Sequence, residues 1–286
     1  MQNAEILIVG ANGQLGLALQ KRYPGARATD SGTLDIADRI AMDNYNWHGI
    51  KYILNAAAYT NVDGAESSDG RVAAWRVNAI GVANLVHAAN THDCTLVHIS
   101  SEYVFDGTKT PHAEEEPFSP LGVYAQSKAA GDIAAALTPQ HYILRTSWVI
   151  GDGKNFVRTM LGLAEKGISP AVVADQIGRP TFTGTLVDAI DHLLSVNAPF
   201  GTYNVSNDGE PASWADITRA IFELSGHTAL TVSDTTTAEY FATKPDAAPR
   251  PLQSTLLLDK IKAVGLNLRD WHDDLKTYIQ NEITKD

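Results

Sequence analysis

Short, strongly apolar runs alternate with longer amphipathic stretches along this chain, most regularly in its first half. Glu5–Val9, Lys51–Asn55, Thr95–Ser100 and His141–Thr146 are rich in Ile, Leu and Val and have the length of strands covered on both faces. Between them, Arg71–Asn90 reads as a helix with Val72, Trp75, Val77, Leu85 and Val86 available for burial. Ser119-Pro120 gives a start signal for the helical stretch that carries Tyr124, Lys128 and Ile133. Strands alternating with helices predict an α/β fold, a Rossmann-type doubly wound parallel sheet.

After residue 147 the pattern loosens. Ala171–Val173 and Tyr203–Val205 are strand-like, whereas Phe156–Glu165, Thr185–Val196, Ser213–Leu224 and Asp270–Ile283 are helical. Thr235–Ser254, rich in Thr, Ala and Pro, reads as a loop crossing the surface or a site. The expected organisation is a dinucleotide-binding domain over residues 1–147 and a smaller α/β substrate-binding domain over 148–286. Elements within about 171–205 are the candidates to return to the first sheet.

The first turn carries chemistry. Gly10-Ala11-Asn12-Gly13-Gln14-Leu15-Gly16 follows a strand and opens a helix, with the spacing G-x-x-G-x-x-G. Glycine permits positive φ and lets the backbone approach a pyrophosphate, while the helix N-terminus offers N–H donors. Asp30 follows Gly10 by 20 residues, the separation of a ribose-binding acid. A carboxylate there favours a free 2′-hydroxyl, hence NADH over NADPH, although Arg27 is near enough in sequence to serve a 2′-phosphate. Asp35-Ile36 is a second candidate pair, beside the adenine.

Tyr124 and Lys128 form Y-x-x-x-K, and residues at i and i+4 share a helix face. A neighbouring ammonium, with an oxidised nicotinamide, is expected to lower the phenol's pKa and make it a usable proton donor. Ser101 stands just past the strand Thr95–Ser100, where parallel sheets collect their chemistry. There it is placed to hydrogen-bond a substrate carbonyl. Together these residues describe a ketone reductase that uses NADH or NADPH.

Composition narrows the partners. The 286 residues carry a net charge of −11, which argues against nucleic acid. No run approaches the roughly 20 apolar residues of a membrane span. No secretory signal opens the chain, and a lone cysteine, Cys94, fits a reducing compartment, so a cytoplasmic location is expected. His87, His92 and His98 lack a completing ligand cluster and read as structural, so no metal is expected.

Several further motifs resemble the dTDP-4-dehydrorhamnose reductase family of the extended short-chain dehydrogenase/reductase superfamily. They are Asn55-Ala56-Ala57-Ala58-Tyr59-Thr60, Val62-Asp63-Gly64-Ala65-Glu66, Val77-Asn78-Ala79, Ser100-Ser101-Glu102-Tyr103-Val104-Phe105-Asp106-Gly107, Arg145-Thr146-Ser147-Trp148-Val149, Asp175-Gln176-Ile177-Gly178-Arg179-Pro180-Thr181, and Arg250-Pro251 with Ser254. The resemblance runs over essentially the whole length. It implies hydride transfer from a reduced nicotinamide to the C4 ketone of dTDP-4-dehydro-L-rhamnose, giving dTDP-L-rhamnose.

By the same resemblance, Ser101, Tyr124 and Lys128 are catalytic, and Ala56, Ala57, Ala58, Tyr59 and Asn78 join the cofactor site. Glu102, Tyr103 and Trp148 are expected on the sugar side, with Asn155, Arg179 and Arg250 at the nucleotide diphosphate. Some members form a metal-bridged dimer through two glutamates. Ala18 and Gly184 stand at those positions and cannot ligate, which points to a monomer or a weak homodimer. Glu102 replaces the more usual Asp, and Asp132 stands where Glu is common. The competing readings are an epimerase or reductase for another nucleotide-linked 4-ketosugar, and a non-catalytic subunit on the same scaffold. A dehydratase would need a second acid where Tyr103 stands.

Overall fold

The computed structural model of the protein describes residues 2–244 and 246–284. Its centre is a wholly parallel, six-stranded sheet. Five strands come from the first half: β1 (Ile6–Val9), β2 (Arg27–Thr29), β3 (Tyr52–Asn55), β4 (Thr95–Ser101) and β5 (His141–Thr146). The sixth, Gly201–Asn204, arrives from the second half and pairs with β5. The order is β2-β1-β3-β4-β5 and then the sixth strand, so the winding reverses between β1 and β3.

Period-two alternation explains how both faces are covered. Ile6, Ile8, Leu54, Val97 and Leu144 point to one side, where they meet Leu15 and Leu19 of α1 (Gln14–Arg22) and Leu186, Ile190 and Leu193 of α7 (Thr183–Ser195). Leu7, Val9, Ile53, Leu96 and Ile143 point to the other. There they meet Met42 of α2 (Arg39–Asn44), Val82, Leu85 and Val86 of α4 (Val82–His92), and Ala135 of α5 (Val123–Ala135). Helix α7 lies outside residues 1–147 in sequence yet covers the sheet.

The expected helix over Arg71–Asn90 is divided. α3 (Ser68–Trp75) passes through a wide π-helical turn, Arg76–Gly81, into α4. Leu85 and Val86 are buried as the periodicity implies, but Val72 is 67% exposed and Trp75 40%. α3 packs only one narrow face, and these two side chains lie off it. α5 begins at Val123 rather than next to Pro120, and Ile133 stays exposed.

Three helices of the second half form a second cluster. α6 (Phe156–Glu165), α8 (Trp214–Leu224) and the helix Trp271–Ile283 bury Val157, Leu161, Ile217, Ile221, Trp271 and Leu275 against one another. Capping side chains set where these helices start. Asn155 accepts from Arg158 N, Ser213 forms a reciprocal pair with Asp216, and Asp270 accepts from His272 N. Ala171–Val173 does not return to the central sheet and pairs with Ser233–Thr235 instead. Within Thr235–Ser254, expected as loop, Thr237–Phe241 is a short helix.

The fold predicts a contrast between two leucines. Leu193 of α7 is fully buried against the sheet, so Leu193→Ala should cost about 2–5 kcal/mol. Leu137 is 72% exposed, and Leu137→Ala should stay within about 0.5 kcal/mol. Urea unfolding monitored by circular dichroism measures both.

Candidate active site

The carboxyl ends of β1, β3 and β4 border a cavity of about 600 Å³. Its floor is the glycine loop. Gly10 holds φ +78°, and a Cβ on it would lie 2.5 Å from the Ala57 nitrogen at the end of β3. Only a bare backbone lets the two strand ends approach this closely. Gly13 is the N-cap of α1 and offers no capping side chain, so the first-turn N–H groups after it remain donors for a ligand. Asn12, Gly13, Gln14 and Leu15 line the cavity beside Ala56, Ala57 and Ala58.

Asp30 follows β2, and one of its carboxylate oxygens accepts from Asn12 Nδ2. The other accepts from Gly32 N at 3.1 Å, Thr33 N at 3.0 Å and Thr33 Oγ1 at 2.9 Å. These bonds, led by those from Thr33, hold its pKa below the usual carboxylate range. Arg27, raised above as a 2′-phosphate partner, turns away and donates to the Asn46 and His48 carbonyls at 2.6 and 2.7 Å. Asp35 caps Ala37 N and pairs with Arg76 at 2.5 Å, and Ile36 packs in the core beside Gly81.

Ser101, Glu102, Tyr103, Tyr124, Lys128 and Trp148 all line the same cavity. Ser101 ends β4, and its hydroxyl donates to Glu102 Oε2 at 2.8 Å while accepting from Tyr103 N at 3.2 Å. Tyr103 and Tyr124 meet edge to face at 5.8 Å. Trp148 holds φ +47° and stacks on Trp214 at 3.9 Å. A left-handed tryptophan costs of order 1–3 kcal/mol and is held by this stack.

Burial dominates the electrostatics of Tyr124. Burial, and after it the Glu102 carboxylate, raise its phenol well above the ordinary value, with the Ser101 hydroxyl opposing. The Lys128 ammonium donates to the Ile99 carbonyl at 2.7 Å, and its charge does not outweigh the burial of the phenol. The phenol is therefore neutral at physiological pH, the form that donates a proton. Lys128 is pushed down to about 8 by burial, against the attraction of Asp132. Asp132 in turn pairs with Arg145 at 2.9 Å, whose guanidinium lies over Phe105 and Phe118.

Other expected residues are placed elsewhere. Asn78 is buried and bridges the Tyr59 backbone at both ends, accepting from Tyr59 N at 2.8 Å and donating to its carbonyl at 3.1 Å and to Ser127 Oγ at 3.0 Å. It shapes the cofactor-side loop without facing the cavity. The Tyr59 ring packs with Ala65, Val123 and Tyr124. Asn155 caps α6 and donates to Gly151 O, Gly153 O and Tyr278 Oη, so its amide is spent. Arg179 ties the Gly209 and Leu256 carbonyls together. Arg250 pairs with Asp63 at 2.7 Å and lies over Phe241. Neither arginine lines the cavity.

Lys154 and Thr146 were not anticipated from the sequence. Lys154 lines the cavity with Asn12, Gly13 and Gln14, in a loop fixed by a hydrogen bond from Gly151 N to Gln14 Oε1 at 2.8 Å. The only sequence signal was a basic residue between Gly153 and the helix cap Asn155. Thr146 ends β5, and its buried hydroxyl has no partner among the described residues. His98 is buried against Asn55, and burial keeps its ring neutral. Ala18 and Gly184 border one shallow hollow, and among the described residues no group of three or more His, Cys, Asp or Glu could hold a metal.

A parallel sheet with a glycine-bounded turn at its switch point, and Ser, Tyr and Lys converging on one cavity, define a Rossmann-type nicotinamide-dependent oxidoreductase. The family model described as RmlD substrate binding domain matches residues 4–283. A dTDP-4-dehydrorhamnose reductase of Aggregatibacter actinomycetemcomitans is 39% identical, with 96% of this chain and 97% of that protein covered. The crystal structure of a dTDP-4-dehydrorhamnose reductase from Clostridium acetobutylicum superposes with a TM-score of 0.90 at 36% identity, covering 97% of this chain and 99% of that one. One from Bacillus anthracis, solved in complex with NADP, gives 0.88 at 33% identity, covering 96% and 98%. The chain belongs to the dTDP-4-dehydrorhamnose reductase family.

Asn78→Ala would leave the Tyr59 N–H, the Tyr59 carbonyl and the Ser127 hydroxyl short of a buried partner. It should lower stability by about 1–3 kcal/mol, read as a shift of the urea midpoint.

Proposed function

We propose that the protein reduces the C4 ketone of dTDP-4-dehydro-L-rhamnose to dTDP-L-rhamnose at the expense of a reduced nicotinamide. The observation that carries this is the meeting of Ser101, Tyr124 and Lys128 with the glycine loop in one cavity. In this reading the N-terminus of α1 and Lys154 hold the cofactor diphosphate, and Ala56–Ala58 border the nicotinamide ribose. When bound, the nicotinamide supplies the hydride that the carbonyl carbon accepts. Tyr124 gives its phenolic proton to the carbonyl oxygen, and Ser101 orients that oxygen. Lys128 keeps a positive charge beneath the phenol and favours its momentary anion. Trp148 and Tyr103 border the sugar. Apart from Gly201–Asn204, which joins the sheet, and α7, which covers it, the division near residue 147 then separates a cofactor-binding half from a substrate-binding half.

A neutral, buried Tyr124 suits reduction, because the donor must be protonated before transfer. Burial also dries the site, so the interaction of each dipole with the developing oxyanion is strengthened. The held carboxylate of Asp30, with Arg27 engaged elsewhere, favours NADH. The surroundings are taken to be cytoplasmic, and the solution state a monomer or weak homodimer. Among the described residues no helix is long and apolar enough to cross a membrane.

Mixing the protein with dTDP-4-dehydro-L-rhamnose and reduced nicotinamide should oxidise the cofactor stoichiometrically with sugar, and faster with NADH than with NADPH. Tyr124→Phe should lower kcat by about 100- to 10,000-fold. Absence of cofactor oxidation, or an undiminished Tyr124→Phe, would contradict the assignment.

A further inference from the structure

We propose that Glu102 gates the Ser101 hydroxyl, leaving it free to donate to the substrate carbonyl oxygen only while Glu102 itself carries a proton. This rests on the ketone-reductase reading above. A serine hydroxyl has one hydrogen to give, and an ionised carboxylate can only accept. Ser101 Oγ lies 2.8 Å from Glu102 Oε2 and already accepts the Tyr103 N–H at 3.2 Å. With Glu102 ionised, the shared hydrogen must be the serine's, and a charge-assisted bond of this kind is about twice as strong as a neutral one. Ser101 then has nothing to offer a ketone oxygen. With Glu102 protonated, the acid's own O–H can bond Ser101 Oγ, and the serine's hydrogen can turn into the cavity that Ser101 lines.

The surroundings make both forms accessible. The Glu102 residue is 3% exposed. Ser101 and Tyr103 face it from its own segment, Tyr124 from α5, and Ser254 from the strap that follows Arg250. The Asp63–Arg250 pair acts on the adjoining Tyr103 and is closed on itself at 2.7 Å. Lys128 gives its ammonium to Ile99 O. Burial thus pushes the Glu102 carboxyl up to about 7, against the bonds from Ser101 and Ser254. The glutamate also acts through Ser101 and not as the acid itself, which makes it a positioning residue.

The test is the pH profile of kcat/KM for the ketosugar, with the full chain and saturating reduced nicotinamide. For the wild type, kcat/KM should fall as pH rises with a midpoint near 7, the value to which the Glu102 carboxyl is raised. The fall should reach about a hundredfold, the usual loss for one oxyanion donor. Glu102→Gln keeps an N–H for Ser101 and cannot ionise, so its fall should move up to about 8, where Lys128 loses its proton. Ser101→Ala should be slower at low pH and should also lack the earlier fall. A Glu102→Gln profile with the wild-type midpoint would overturn the gate. If that variant fails to fold, an early fall surviving in Ser101→Ala overturns it equally. Wild-type turnover with only the later fall sinks the gate alone, whereas no cofactor oxidation at any pH sinks both the gate and the reductase reading.

Discussion

At two positions where β1 turns into α1, Gly10 and Gly16, there is no room for a side chain. A Cβ on Gly16 would overlap the Gly10 carbonyl, and one on Gly10 would press into the backbone of Ala56 and Ala57. That closeness places the amino end of α1 against the carboxyl ends of β1 and β3, where the winding of the sheet reverses. A helix N-terminus, an open crevice and strand-end side chains therefore share one space. β4 delivers Ser101 to the same edge, and α5 lays Tyr124 and Lys128 beside it. The second half contributes by packing onto this frame, through Gln14 bonded to Gly151 and through α7 on the sheet.

Beneath the cavity lies a layer of buried charge. Lys128, Asp132 and Arg145 are each at most 4% exposed, and each has a partner: a strand carbonyl for the lysine, a guanidinium for the aspartate, and two aromatic rings flanking the arginine. Removing one member of such a set leaves an uncompensated charge and typically costs about 3–5 kcal/mol. The arrangement is therefore expensive to disturb, and it keeps the Lys128 ammonium from wandering to solvent. At Tyr124, burial outweighs the nearby charges. The outcome is a neutral donor waiting beside a carbonyl site, with a nearby cation favouring its brief ionisation.

Much of this was legible in the sequence because it depends on local rules. Glycine spacing after an apolar run, serine at a strand end, and tyrosine four residues before lysine each follow from backbone geometry alone. What escaped depends on partners distant in sequence. Asn155 and Arg179 look like ligand-binding side chains, yet their hydrogen bonds are consumed by Tyr278 and by the Gly209 and Leu256 carbonyls. Asn78 sits in a motif beside the cofactor loop, but it works by bridging Tyr59 to Ser127. Val72 and Trp75 fit a helical period and remain exposed, because periodicity does not say whether a second layer covers that face. For Tyr124, spacing places a lysine nearby but does not weigh its charge against the burial of the phenol.

If the cavity moves a hydride from a nicotinamide to a sugar carbonyl and releases the oxidised cofactor, the hydrogen can be followed by isotope. Reduced nicotinamide carrying deuterium at the transferring C4 position tests it directly, with mass spectrometry of the sugar product. One deuterium is expected on the product, at the carbon that bore the ketone, with an equal amount of oxidised cofactor in solution. A product without deuterium, or one formed while free cofactor stays reduced, would contradict it.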